Sequence, residues 1–400
     1  MLPNVRINFA NGAIGGSAPM DDGCTGLLCT ATAVTGKFAL ETNYLITSLK
    51  QLEALGIDAS STGPNANVYK CVSEFYAEAP QGTKLYLRGY DDGDIVKMVD
   101  PERGYVMPLL EYARGAIRTL MVKTTDPDGY TAQNGHGIDT PVYDAIHYAQ
   151  QLAEAATDEL KAPLVVLLEG RHYSGTAADL ADLHEQGLNR VAVVIGDTVE
   201  DSEGACVGLV AGRIARIPVH RSIARVKDGA IKATAMYIGR VSAENGSPDI
   251  IHDHGFICPR TFVGKGGYFW SDDTLATAAS DDYCYIPRRR VADKAYRIAY
   301  GAMLEQVSDE IALTADGKIA AAACKNIETR LESAIINGMT VEGNLGCDPD
   351  DPTDTGVVAY VDPEQNIAAT SHLDVELRIR PYGYSKHIEV DLGFQTLPTA

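Results

Sequence analysis

The sequence is poor in the features that mark membrane, nucleic-acid-binding and nucleotide-using proteins. No stretch of its 400 residues approaches the ~20 apolar residues of a bilayer-spanning helix; the longest apolar run is about that of Pro163–Leu168. The start, Met-Leu-Pro-Asn-Val-Arg, has no basic segment followed by an apolar one, so a secretory leader is not expected and synthesis in the cytoplasm is. Cations are scarce: 34 Lys and Arg stand against 54 Asp and Glu, a net charge of -20. Such a balance repels phosphate backbones and anionic lipid, so neither nucleic acid nor a membrane surface is an expected partner. Tight self-association would have to rest on local charge matching and backbone pairing. The eight cysteines include no CxxC pair, and several lie in apolar helical patterns, where a thiol serves as a small hydrophobe. A Walker loop is absent, as is a GxGxxG after a strand.

Hydrophobic residues are plentiful, at 45%, enough for two or three cored domains. Residues 1–20 alternate weakly through Val5, Ile7 and Phe9, then run into Gly12, Gly15, Gly16, Ser17 and Pro19. That pattern predicts a short strand and a strap. Leu27–Val34 reads as a strand. Leu45, Leu49, Leu52 and Leu55 recur at helical spacing before Gly56. Val68–Tyr76 is a second predicted helix, Lys84–Leu87 a strand, and Pro108–Ala116 a helix leading to the strand Thr119–Lys123. The clearest signal follows: a helix face of Ile146, Ala149, Ala153, Ala156 and Leu160, the buried strand Leu164–Leu168, and a capping box from Thr176 to Asp179 opening a helix with Leu180 and Leu183. Then come the strand Val191–Ile195 and the helix Ala205–Ile214. Strands alternating with helices imply a parallel sheet covered on both faces, placed at 100–285 after an α+β region at 21–99.

The last hundred residues have another character. Two long helices are expected, Val291–Ile311 and Ile319–Ile336, then an acidic loop and strands. His372–Arg380 alternates Leu373, Val375, Leu377 and Ile379 with charged residues. Lys386–Phe394 alternates Ile388, Val390, Leu392 and Phe394 with His387, Glu389 and Asp391. Each has one apolar and one polar face, and nothing predicted after the second would cover its edge.

Candidate chemistry is thin. Ser174 follows a strand but lacks the first glycine of a nucleophile elbow and suits a turn entering a helix. His252, His254 and Cys258 could begin a zinc site, with the two histidines sharing one face of a strand, but no fourth ligand is evident nearby. Asp91, Asp92 and Asp94, and the 348–354 loop, have neither the spacing nor the terminal glutamate of an EF-hand. One cluster runs against the acidic average: Arg288, Arg289, Arg290, Lys294 and Arg297 straddle a predicted helix start, where the dipole does not favour cations. It is either a solvated face or a contact for an acidic surface.

In this order the pieces resemble the contractile tail sheath family of phages and phage-like injection systems, in its shorter, divergent branch. The resemblance is carried by Leu45–Gly56, Val68–Phe75 and Lys84–Leu87, by the middle α/β segment, by Gly264–Asp272 followed by Arg289–Ala295, and by the closing helices and strands. It covers most of the chain and is weakest over 200–250. It implies a subtilisin-like α/β domain without protease chemistry at 100–285, a C-terminal sheath core of two helices and antiparallel strands at 286–385, and extended arms at 1–20 and 386–400. By the same resemblance the arms add strands to sheets of adjacent copies, here through Val5, Arg6, Ile7, Asn8 and Phe9 and through Ile388, Glu389, Val390, Asp391, Leu392 and Phe394. Such a protein is a structural subunit, not an enzyme, with no cofactor and no metal. Its partners are other copies in stacked hexameric rings, an inner tail tube, and baseplate and terminator proteins; it ends up in a virion or phage-like particle tail. On that reading the 288–297 cluster would grip the acidic outside of the tube. The rivals are a metal-assisted hydrolase built on the α/β domain and a baseplate or capsid protein.

Overall fold

In the computed structural model, which describes residues 21–394, strand β1 (Thr25–Thr30) is buried at all six positions. A strand with no exposed face belongs inside a sheet covered on both sides. Its neighbours in the chain supply that sheet: β2 (Asn43–Ile46), β3 (Leu85–Tyr90), β4 (Thr119–Lys123), β5 (Val165–Glu169) and β6 (Val191–Val194), in the order β2-β3-β1-β4-β5-β6. β1 pairs in parallel with both β3 and β4, Thr25 standing opposite Leu85 and Thr119. β5 and β6 continue in parallel, and β2 runs antiparallel to β3 as one edge. The sheet therefore draws three strands from 21–99 and three from 100–285, and the boundary expected near residue 100 falls within it.

Helices α1 (Leu49–Ala54), α2 (Pro64–Glu78), α3 (Ile95–Val99), α4 (Met107–Ala113), α5 (Thr140–Asp158) and α6 (Val207–Arg216) cover the two faces. α2 and α6 form the tightest pair. Their closeness is set by two glycines one helical turn apart: a Cβ on Gly208 would stand 2.2 Å from the Cys71 carbonyl oxygen, and one on Gly212 2.5 Å from that of Phe75. Gly208→Ala should force the helices apart and cost about 1–3 kcal/mol, read as a lowered midpoint in urea denaturation.

Two local expectations are corrected here. Leu45 lies in β2, and the helix begins only at Leu49. The helix expected after Thr176 is instead two 3₁₀ turns, Ala177–Asp179 and Leu183–Glu185; Thr176 makes no side-chain cap. Asp182 explains the break, since its carboxylate accepts from the His184 N–H at 2.9 Å and starts the second turn afresh. Further along come the short pair β7 (Tyr237–Ile238) and β8 (Val241–Ser242), helix α7 (Pro248–Asp253), the hairpin of β9 (Pro259–Phe262) and β10 (Lys265–Trp270), and α8 (Ile286–Leu304). These elements complete one compact unit that ends at Val307. Helix α8 stops seven residues short of the expected Ile311.

The second unit, from Ser308, is smaller. It holds α9 (Ala321–Ile335), which runs into a π-turn at Ile336–Thr340, then β11 (Val357–Tyr360), α10 (Ile367–Thr370) and β12 (Glu376–Ile379). The apolar stripe of α9, Cys324, Ile327, Leu331 and Ile335, is buried, as are Val357, Ala359 and Val361 on the facing side of β11. β11 and β12 form an antiparallel two-stranded sheet, Val358 opposite Arg378. The strand expected over 372–380 thus forms only at 376–379. The expected strand over 386–394 has no partner strand among the described residues, and strand structure needs a neighbour to bond. Among the described residues, no helix is long and apolar enough to cross a membrane.

Candidate functional site

In a parallel sheet, ligand sites form at the carboxyl ends of the strands where the strand order reverses, here between β1 and β4. Charged side chains fill that crevice. Lys123, at the end of β4, pairs with Glu169, at the end of β5; both are buried. The Glu169 carboxylate also accepts from the N–H of Thr124 at 3.1 Å and of Ala205 at 2.8 Å. Beside it, Lys70 of α2 bridges Asp197 and Glu74, the latter at 2.9 Å. Even the space over Gly204 is taken, since a Cβ there would meet Glu169 Oε1 at 2.4 Å. Every charge in this corner has a counter-charge, so the crevice is a polar core. An open surface depression of about 760 Å³ is lined by Asp100, Arg103, Asp144, His147, Tyr148 and Gln151, none of them a crevice group.

At the rim, Asp126, His172 and Glu203 bring one potential metal-ligand atom each to within 4.8 Å of one another. The Asp126 carboxylate is already engaged, by Arg171 at 2.7 Å and His172 at 2.6 Å. The hydrogen bond with Asp126 raises the His172 pKa, against burial. For Asp126, burial pushes upward, but His172 and Arg171 hold the carboxyl below its usual range. The histidine's contribution to stability is therefore complete below its ordinary value of ~6.5 and is lost as pH rises through the raised one. The aspartate's is complete above its ordinary value of ~4 and is lost as pH falls through the lowered one. His172→Gln should cost more stability near about pH 6 than near about pH 9, measured by thermal melts of both proteins at each pH.

The other sequence candidates resolve into structural roles. Ser174 Oγ accepts from the Thr176 N–H at 3.2 Å in a turn. His252 and His254 lie at the end of helix α7, not on a strand, because Pro248 opens a helical turn there. Residues two apart on a helix point in different directions. His252 pairs with Asp272 at 3.3 Å, His254 Nδ1 lies 2.8 Å from the Ile250 carbonyl, and the Cys258 thiol reaches the Pro248 carbonyl at 3.6 Å, so the three are not gathered. Asp94 caps α3, and Asp92 pairs with Lys97. Asp348, Asp351 and Asp354 accept from backbone N–H groups of their own loop.

The basic cluster on α8 has partners within its own unit. Lys294 and Arg297 clasp the Asp22 carboxylate at 2.8 and 2.7 Å. Arg290 is buried and donates to the carbonyls of Ile217 and Pro218. Arg289 pairs with Asp293 at 2.9 Å, a carboxylate shared with Arg190. Arg288 lies over the Tyr285 ring and reaches the Cys284 sulfur at 3.6 Å. Burial, chiefly, with Arg118 nearby, pulls the Arg297 pKa down to about 10. Apart from Arg288, these cations answer carboxylates and carbonyls of their own unit.

What remains unsatisfied is strand edge. The Arg380 N–H donates to the Gly356 carbonyl at 2.8 Å, so Arg378 and Glu376, in step with it, face β11. The N–H groups of Leu377 and Ile379 then point the other way. Among the described residues nothing pairs with that side of β12. Farther on, Ile388, Val390, Leu392 and Phe394 are 76% to 105% exposed. The alternation of this segment was plain in sequence; the open edge of β12 was not. The expected strand Val5–Phe9 lies outside the described residues.

Comparison with solved structures defines the class. The chain has the fold of contractile sheath proteins. A chain of the anti-feeding prophage (AFP) baseplate is similar over 99% of both chains, with a TM-score of 0.63 at 14% identity. The AFP helical sheath in its contracted state matches over 99% of both chains, TM-score 0.61 at 15% identity. The contracted PVC sheath complex of an extracellular contractile injection system covers 99% of this chain and 98% of its own, TM-score 0.59 at 11% identity. Residues 2–274 match the model of the DUF2586 N-terminal domain and residues 282–397 that of the DUF2586 C-terminal domain; the chain belongs to the DUF2586 family. Among curated proteins, none matches it in sequence.

Proposed function

We propose that this protein is the structural subunit of a contractile tail sheath and not an enzyme. Copies assemble as hexameric rings stacked helically around an inner tube, between baseplate and terminator proteins, and contraction drives the tube through a target envelope. The observation that carries this reading is the end-to-end similarity to sheath subunits of two contractile systems, over 98–99% of each chain. The α/β unit is then a subtilisin-like domain put to a mechanical use, in keeping with a crevice packed by Lys123, Glu169 and Lys70. Residues 386–394 and 5–9 are donor strands: each copy completes a sheet of its neighbours by backbone pairing, and the open edge of β12 is an acceptor. Head-to-tail contacts of this type generate rings and open helices. Negative-stain microscopy of the purified protein at rising concentration tests the reading. Rings or striated tubes are expected; compact particles at every concentration would overturn it.

A further inference from the structure

The two edges of the β11–β12 sheet differ. One side of β12 is open; the matching side of β11 is occupied by side chains of α9. The Ala359 N–H donates to Glu332 Oε1 at 2.9 Å, and the Val361 N–H to Glu328 Oε1 at 2.9 Å. Alternate residues of a strand repeat every ~6.7 Å, and side chains four apart on a helix sit ~6 Å apart. Two glutamates one helical turn apart thus reproduce the spacing of two carbonyl groups on an added strand. They stand where that strand would stand.

Carboxylates are strong acceptors for amides, shorter and tighter than a carbonyl. An incoming strand has to displace them before it can bond. The geometry also gives a displaced charge somewhere to go: Lys325, itself exposed, already touches the second oxygen of Glu328. Guarded edges are a general protection against unwanted strand addition.

We propose that Glu328 and Glu332 are a removable guard on the β11 edge, so that the free subunit offers only β12 to an arriving strand and the β11 edge joins a neighbour's strand later, during lattice growth. This rests on the strand-exchange reading above. It adds an order of events: β12 takes a strand first, and β11 only after its glutamates are displaced.

The test compares the full chain with the Glu328→Ala/Glu332→Ala and Glu328→Gln/Glu332→Gln variants by light scattering and pelleting over a concentration series. Stripping the guard leaves two amides unmet and favours strand capture, so the alanine variant should assemble at roughly tenfold lower concentration. The glutamine variant, which keeps a weaker acceptor, should fall between. A purely stabilising role predicts the opposite order, with the alanine variant assembling less readily, and that result overturns the proposal. Should the alanine variant not fold, the glutamine variant decides: an onset of assembly at lower concentration than the unmodified chain supports the guard, and an onset at the same or higher concentration overturns it. If the unmodified chain forms no tubes at all, the strand-exchange reading itself fails, a result distinct from tubes whose onset ignores both glutamates.

Discussion

A chain ending at residue 385 should melt at the temperature of the full protein and form no tubes. Both halves of this expectation come from the same residues. Ile388, Val390, Leu392 and Phe394 lie largely in solvent, and residues 386–394 pair with no strand among the described residues, so removing them takes little from folding. Between copies, a five- or six-residue strand would supply about five backbone bonds at ~1 kcal/mol each. Losing ~5 kcal/mol per contact weakens each link by roughly three to four powers of ten, and the lattice multiplies the loss because every copy is held by several such links. Val390→Pro should reproduce the effect without shortening the chain, since proline removes a donor from the middle of the ladder. Sedimentation and electron microscopy report assembly, and differential scanning fluorimetry reports folding. Tubes of normal stability from the truncated chain would refute the donor role; a large fall in melting temperature would show instead that 386–400 belongs to its own subunit.

The largest stability effect is expected at Arg213. Its guanidinium sits in the core, held by Glu78 at 2.9 and 3.1 Å and donating to the carbonyls of Gly229 and Ala230. Glu78 is equally buried, and it also accepts from the Lys232 N–H at 2.7 Å. Arg213→Met keeps the volume and strands the carboxylate. Arg216, 3.3 Å from the same oxygen, recovers part of the loss. Breaking one side of a buried pair costs about 3–5 kcal/mol, a fall of roughly 5–8 °C in Tm for a unit of this size. Replacing both partners, Glu78→Met with Arg213→Met, should return most of that stability, because no unmatched charge is left behind. A double variant as unstable as the single one would mean that the pair positions α2, α6 and the 229–232 loop in a way apolar packing cannot replace.

How far these features were legible in sequence depends on the distance over which each interaction acts. β1, β4, β5 and β6 were readable because a strand buried on both faces must be apolar throughout, as Leu164–Leu168 is. α2 and α5 announced themselves by spacing. β2 was misread because Leu45 happens to fall in phase with the leucines of the helix after it. Thr176 and Asp179 had the residues of a capping box, but Asp182 competes for the backbone three positions later. The α8 cations were visible as a group, and what they face was not: Asp22 lies 275 positions from Arg297, a separation that no local pattern spans. The same holds for Glu328 and Glu332, which look like ordinary helix-surface charges until the fold sets them against β11. Fold and the alternating 386–394 segment were written locally; ion pairs and the open edge of β12 came from long-range packing.

The clasp on Asp22 has a mechanical meaning. Asp22 stands three residues ahead of β1, the strand with parallel neighbours on both sides, and is moored to α8 by two cations. A pull applied at Asp22 would therefore be shared, part passing into a helix by ionic tethers and part into the middle of the sheet along the strand axis. Loaded in that direction, the ladder bonds of β1 to β3 and β4 are sheared together and do not unzip singly. Load taken up at Asp22 is thus met by helix and sheet of the first unit together.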